Sequence, residues 1–96
     1  MNMKALSEWD RLGARLKFYR FLKGSSQDEC AEVINVSRTA YVQIESGNRK
    51  LNALELEQLA NYFCISKDLI IRPFPGEFDV LMGHDSGISI KSSESS

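Results

Sequence analysis

The stretch VSRTAYVQIESGNRK, Val36 to Lys50, decides the fold. Ser37 is a good helix N-cap, because its hydroxyl can accept an amide proton of the first turn. Tyr41 and Ile44 stand three apart, the spacing of one helix face. Gly47-Asn48 then breaks the helix. If Tyr41 and Ile44 point inward, helix geometry turns Arg38, Thr39, Val42 and Gln43 the other way. A solvated surface helix more often carries Glu and Lys at such positions. Here Val42 is left bare unless something covers it.

Immediately upstream the chain sets a corner. Ser26 with Glu29 has capping-box spacing and opens a helix whose inward residues are Cys30, Ala31 and Ile34. Asn35 follows, the non-glycine residue best suited to a left-handed turn. Two short capped helices joined at Asn35-Val36 form a helix-turn-helix by spacing alone. A steep crossing needs a small residue, and Ala31 supplies it. A structural corner would need no more than this, so the outer face carries the functional reading. Arg and Gln can make paired hydrogen bonds to guanine and adenine edges, while Thr and Val can pack on a thymine methyl.

Further out, Ser7 with Asp10 opens a first helix in which Trp9, Leu12, Leu16 and Tyr19 recur at helical spacing to about Leu22, and Gly24 ends it. Asn52 with Glu55 opens a fourth helix carrying Leu56, Leu59, Ala60 and Phe63. Ser66 starts a short fifth, Lys67 to about Ile71, stopped by Pro73. No segment before Pro73 alternates with period two, so residues 7–72 read as one all-α, five-helix domain. Residues 73–96 read as a C-terminal extension. In it FPGEFDVLMG suits a strand with Phe78, Val80 and Met82 on one face, ISI a returning strand, and SSESS a disordered end.

Composition narrows the function classes. The 96 residues make one small domain of ordinary globular composition, 43% apolar and 26% charged. No apolar run of membrane-spanning length and no signal core occurs, so a cytoplasmic protein is expected. Cys30 and Cys64 sit in apolar helical patterns and read as two reduced core thiols, and with His84 they make no metal quartet. Catalysis is not expected, since the one histidine, His84, lies in a polar segment with no placed nucleophile or acid. The formal charge of −1 hides an asymmetry. Residues 11–50 hold eight bases (Arg11, Arg15, Lys17, Arg20, Lys23, Arg38, Arg49, Lys50) against four acids (Asp28, Glu29, Glu32, Glu45), a local +4, and the remainder is −5. That is the footprint of a polyanion partner.

The run SSQDECAEVINVSRTAYVQIESGNRKLNALELEQLANYFCISKDLII resembles the lambda-repressor-like (XRE-type) helix-turn-helix domain of bacterial and phage regulators, over about Leu12 to Ile71. Gln27 opens the second helix, Ala31 sits at the crossing, Ser37-Arg38 opens the third, and IESGNRK closes it. Asn35 stands where the family usually has glycine, and Tyr41 is larger than its usual Ile or Val, which implies local repacking. The resemblance implies that Gln27 and the backbone at the start of its helix hold a phosphate. It implies that Arg38, Thr39 and Gln43 read bases in the major groove from the helix spanning residues 37–46, with Ser37 at its start and Val42 adding an apolar contact. Ser46, Asn48, Arg49 and Lys50 would clamp the backbone beyond it. Arg20 and Glu45 match a family ion pair between the first and third helices, whereas Arg15, on the same helix, is expected to matter little. No cofactor is implied.

The function this implies is a sequence-specific DNA-binding transcriptional regulator, a repressor acting as a homodimer on a palindromic operator. Leu69, Ile70 and Ile71, followed by Phe74, Phe78, Val80 and Met82, form the candidate dimer surface, and removal of everything after Pro73 is expected to leave the helical fold intact. The alternative is an antitoxin, which represses its own operon and binds a toxin through the C-terminal extension. A protein-interaction module that never touches DNA fits less well with the basic first half and the Arg/Gln face.

Overall fold

A computed structural model of the chain describes residues 7–73, 76 and 77. Five helices follow one another: α1 (Glu8–Lys23), α2 (Gln27–Val33), α3 (Arg38–Glu45), α4 (Ala53–Phe63) and α5 (Asp68–Ile71). Among the described residues there is no strand. The strands and the serine-rich end expected after Pro73 lie outside the described residues, apart from Gly76 and Glu77.

Local chemistry sets the helix starts. Ser7, Ser26 and Asn52 each accept the amide of the residue three on, and Asp10, Glu29 and Glu55 each return a carboxylate to the cap amide. These reciprocal bonds satisfy amides that would otherwise have no partner at a helix N-terminus. Ser37 caps α3 through its hydroxyl, which accepts the Ala40 amide at 3.1 Å. Asn35 takes the left-handed conformation, with φ 58°, and turns α2 into α3.

The core is built from all five helices: Leu16, Cys30, Ala31, Ile34, Tyr41, Ile44, Leu59, Ala60, Phe63 and Ile70. Trp9, Leu12 and Tyr19 on α1 are only half-buried. Burying a side chain of Leu or Ile size contributes roughly 1.5–3 kcal/mol. Tyr41 is fully enclosed, yet its hydroxyl finds no hydrogen-bond partner among the described residues. Burial, with the Glu45 carboxylate close by, pushes its phenol far above the ordinary tyrosine range. This is the local cost of a residue larger than the crossing needs.

The close approach that fixes α3 on α1 is made at Gly13. A Cβ there would overlap the carbonyl oxygens of Ile44 and Glu45. So the end of the third helix rests directly on the backbone of the first, a contact that only glycine permits.

Three expectations are overturned. Cys64 is not a core thiol. It is exposed and sits in the left-handed conformation, φ 60°, at the end of α4. Arg15 is not a dispensable surface residue. It is 2% exposed, its Nη2 donates to Glu77 Oε2 at 3.0 Å, its Nε to Glu77 Oε1, and its Nη1 to the carbonyls of Ile70 and Ile71 at 2.9 and 3.0 Å. Removing everything after Pro73 therefore removes the counter-charge of a buried guanidinium, and the fold cannot be indifferent to it. Finally, the apolar trio of α5 divides: Ile70 enters the core, while Leu69 and Ile71 stay exposed.

Candidate nucleic-acid interface

Arg38, Thr39, Val42 and Gln43 all lie exposed on α3, on the side opposite the buried Tyr41 and Ile44. Val42 is 37% exposed, a bare branched side chain between polar neighbours. Arg38 reaches across to α2, with Nε 3.8 Å from Asp28 Oδ1, both side chains being largely solvated.

Gln27, the first residue of α2, is held rather than free. Its Nε2 donates to Glu45 Oε1 at 3.1 Å. The same carboxylate accepts Arg20 Nε at 2.7 Å and Arg20 Nη2 at 3.1 Å, while Arg20 Nη1 donates to the Ser25 carbonyl. The hydrogen bonds that Arg20 donates to Glu45 raise the Arg20 pKa, against the lowering effect of burial. One carboxylate at the end of α3 thus joins α1, α2 and α3, and it places Gln27 beside the exposed face of α3.

The turn after α3 is closed by its own carbonyls. Gln43 O accepts the amides of Asn48 at 2.8 Å and Arg49 at 3.2 Å and the Ser46 hydroxyl at 3.0 Å. Asn48 Nδ2 donates to Ser46 Oγ. Gly47 takes φ 85° against Asp10, where a side chain would collide. Lys50 stays exposed, its Nζ 5.8 Å from the Trp9 ring centre.

Arg49 departs from a free clamp. Its Nη1 and Nη2 donate to Glu55 at 3.2 and 3.1 Å, and Nη1 also meets the Lys50 carbonyl. Burial would raise the Glu55 carboxyl, but the Arg49 hydrogen bonds and the Asn52 amide outweigh it and hold it below the ordinary Glu range. Ser37, Ser46, Asn48 and Lys50 are exposed around the ends of α3, and Arg49 is partly so. Sequence reasoning missed Asp28, which meets Arg38, and saw in Glu55 only a cap. The signal for Glu55 was a basic residue six positions before an N-terminal helix carboxylate.

The charge footprint is also smaller than the sequence suggested. Arg15 and Arg20 are buried and neutralised, so they offer little to a partner. Among the described residues no group of His, Cys, Asp and Glu is arranged to hold a metal, and no helix is long and apolar enough to cross a membrane.

Comparison with known proteins agrees with the fold. A family model described as a helix-turn-helix domain matches residues 13–72. The chain is 31% identical over 68 residues to the SPbeta prophage-derived HTH-type transcriptional regulator YonR of Bacillus subtilis, across 71% of this chain and 63% of that one. The match thus spans under two thirds of that relative. The restriction-modification controller protein C.AhdI of Aeromonas hydrophila has the same fold, with TM-score 0.61 and 25% identity, over 66% of this chain and 96% of that one. The clp gene regulator ClgR of C. glutamicum is similar too, with TM-score 0.66 and 25% identity, covering 73% and 91%. From its capped corner, its left-handed turn and the family match across most of the described residues, the chain belongs to the helix-turn-helix family of lambda-repressor-like regulators.

Proposed function

We propose that this protein is a sequence-specific DNA-binding transcriptional regulator that reads the major groove with α3. The observation that carries the proposal is the exposed row Arg38, Thr39, Val42 and Gln43 on a helix whose other side is fixed in the core. Arg38 and Gln43 have the chemistry for purine edges, and Thr39 and Val42 for a thymine methyl. Gln27, Ser37, Ser46, Asn48, Arg49 and Lys50 surround that row and supply donors for phosphates. YonR, C.AhdI and ClgR are named as regulators or controllers, which supports the same reading. The protein acts in the cytoplasm as a repressor, by occupying its operator.

A single reading helix covers few base pairs, so the working form is a homodimer on a palindrome with half-sites roughly 34 Å apart. The exposed Leu69 and Ile71 support it, as does the apolar groove of about 260 Å³ beside Ile71, lined in part by Trp9, Leu12, Leu51 and Leu56. The antitoxin reading has less behind it, because Glu77, early in the extension, is already committed to α1.

Selection of bound DNA from a random pool tests the proposal and reads half-site spacing. On the selected site Arg38→Ala should cost about 1–3 kcal/mol and relax one base position. Lys50→Ala should weaken selected and random DNA alike and lower the salt slope by roughly one. Wild-type binding by both variants refutes the interface.

A further inference from the structure

Asp28 is an acidic side chain on the face proposed to meet DNA, and the fold makes little use of it. The α2 capping box is built by Ser26 and Glu29, not by Asp28. Its side chain is largely solvated, and its one charged neighbour among the described residues is Arg38. A carboxylate on that face repels the polyanion, so its presence calls for a compensating gain.

The geometry of the pair supplies one. Asp28 Oδ1 stands at the Nε edge of the Arg38 guanidinium, 3.8 Å away. Among the described residues no hydrogen bond takes up its two terminal nitrogens. Those nitrogens form the fork that matches O6 and N7 of guanine. An unrestrained arginine has many rotamers and must give up that freedom when it binds a base. A carboxylate on the Nε side narrows the choice and leaves the reading end open.

We propose that Asp28 is a positioning residue for Arg38: it orients the guanidinium for one base pair, raising sequence preference at the expense of overall affinity. The inference rests on the DNA-reading role of α3 proposed above. It predicts opposite effects on two readouts that a general charge effect would move together.

The test uses the full chain, the selected site, that site altered at the base pair where Arg38→Ala loses its preference, and random duplex. Asp28→Asn should melt like wild type, since a solvated pair contributes little to stability. It should bind random duplex more tightly, yet its preference at that base pair should fall by about fivefold, part of the discrimination that a bidentate arginine contributes. Added to Arg38→Ala, the same change should cause no further loss of preference. If Asp28→Asn tightens selected, altered and random DNA by one common factor, Asp28 is a charge only and the proposal is wrong. A wild type that selects a site whose preferences Arg38→Ala leaves intact overturns this inference while α3 reading stands. A wild type that selects no site overturns both.

Discussion

Two arginines five residues apart on α1 are both buried, Arg15 at 2% exposure and Arg20 at 7%. Each grips a distant carboxylate through Nε and Nη2 and donates Nη1 to main-chain carbonyls at an element end. Arg20 ties the front of the molecule: Glu45 and the Ser25 carbonyl, hence the seat of α2 and α3. Arg15 ties the rear: the end of α5 and Glu77 of the C-terminal extension. The same device is therefore used twice, once to hold the reading helix and once to fasten the chain beyond the five helices. Burying such a pair gains little over apolar packing, but removing one partner strands a charge in a dry site. The lesson is that Glu77, although it lies beyond the five helices, belongs to the folded body.

The largest effects should come from breaking either tie. Arg15→Ala and Arg20→Ala should each cost about 3–5 kcal/mol by removing the cationic half of a buried ion pair. For a domain of this size that lowers the melting temperature by at least about 12 °C. A chain ending after Pro73 should lose nearly as much as Arg15→Ala, because it leaves Arg15 without its counter-charge. Replacing both partners, Arg15→Met with Glu77→Leu, should recover most of the loss, since no charge is then stranded. Calorimetry reads all of these. A truncated chain melting like wild type would show that the rear tie contributes nothing.

The two ties differ in how far the sequence reveals them. Capping boxes at Ser7, Ser26 and Asn52 are local, so their spacing is readable directly. The pairing of Arg20 with Glu45 spans 25 residues and was suggested only by resemblance to a family. The pairing of Arg15 with Glu77 spans 62, and Glu77 lies in a stretch whose alternation read as a strand. No local pattern distinguishes a buried arginine from a solvated one. Cys64 was misread for a related reason: the apolar pattern of α4 continues one residue past the point where the backbone turns. On the site, α3's outward row is legible from helix geometry, whereas Asp28 beside Arg38 depends on how α2 is set against α3.

At the seam between front and rear lies a smaller tie, Arg49 to Glu55, which fastens the turn after α3 to the start of α4. The folded Glu55 pKa is below its unfolded value, so the group's contribution is present above the ordinary Glu pKa, about 4.3, and is lost as pH falls through the folded value. At pH 7 Glu55→Gln should cost about 1–2 kcal/mol in charge-assisted hydrogen bonds. The gap between wild type and variant should close as pH is lowered below the ordinary Glu range. Urea melts across that range measure it, and a gap independent of pH would mean that the carboxylate's charge is not what holds the turn.

The smallest expected effects return to the comparison between front and rear at the level of one backbone torsion. Each half contains a helix end turned by a non-glycine residue in the left-handed region, Asn35 at φ 58° between α2 and α3, and Cys64 at φ 60° after α4. Asn accepts that conformation because its short amide can bond locally, whereas a cysteine pays the ordinary steric penalty of roughly 1–2 kcal/mol. Both side chains are exposed, so replacing either loses little packing. Glycine relieves the strain but adds freedom to the unfolded chain, an opposing cost of roughly 0.5–1 kcal/mol. Cys64→Gly should therefore stabilise by up to about 1 kcal/mol, and Asn35→Gly should be near neutral. Cys64→Gly should raise the urea midpoint and Asn35→Gly should leave it nearly where it was, neither changing the slope. The reverse order would mean that the front turn, which sets the angle of the reading helix, carries the greater strain.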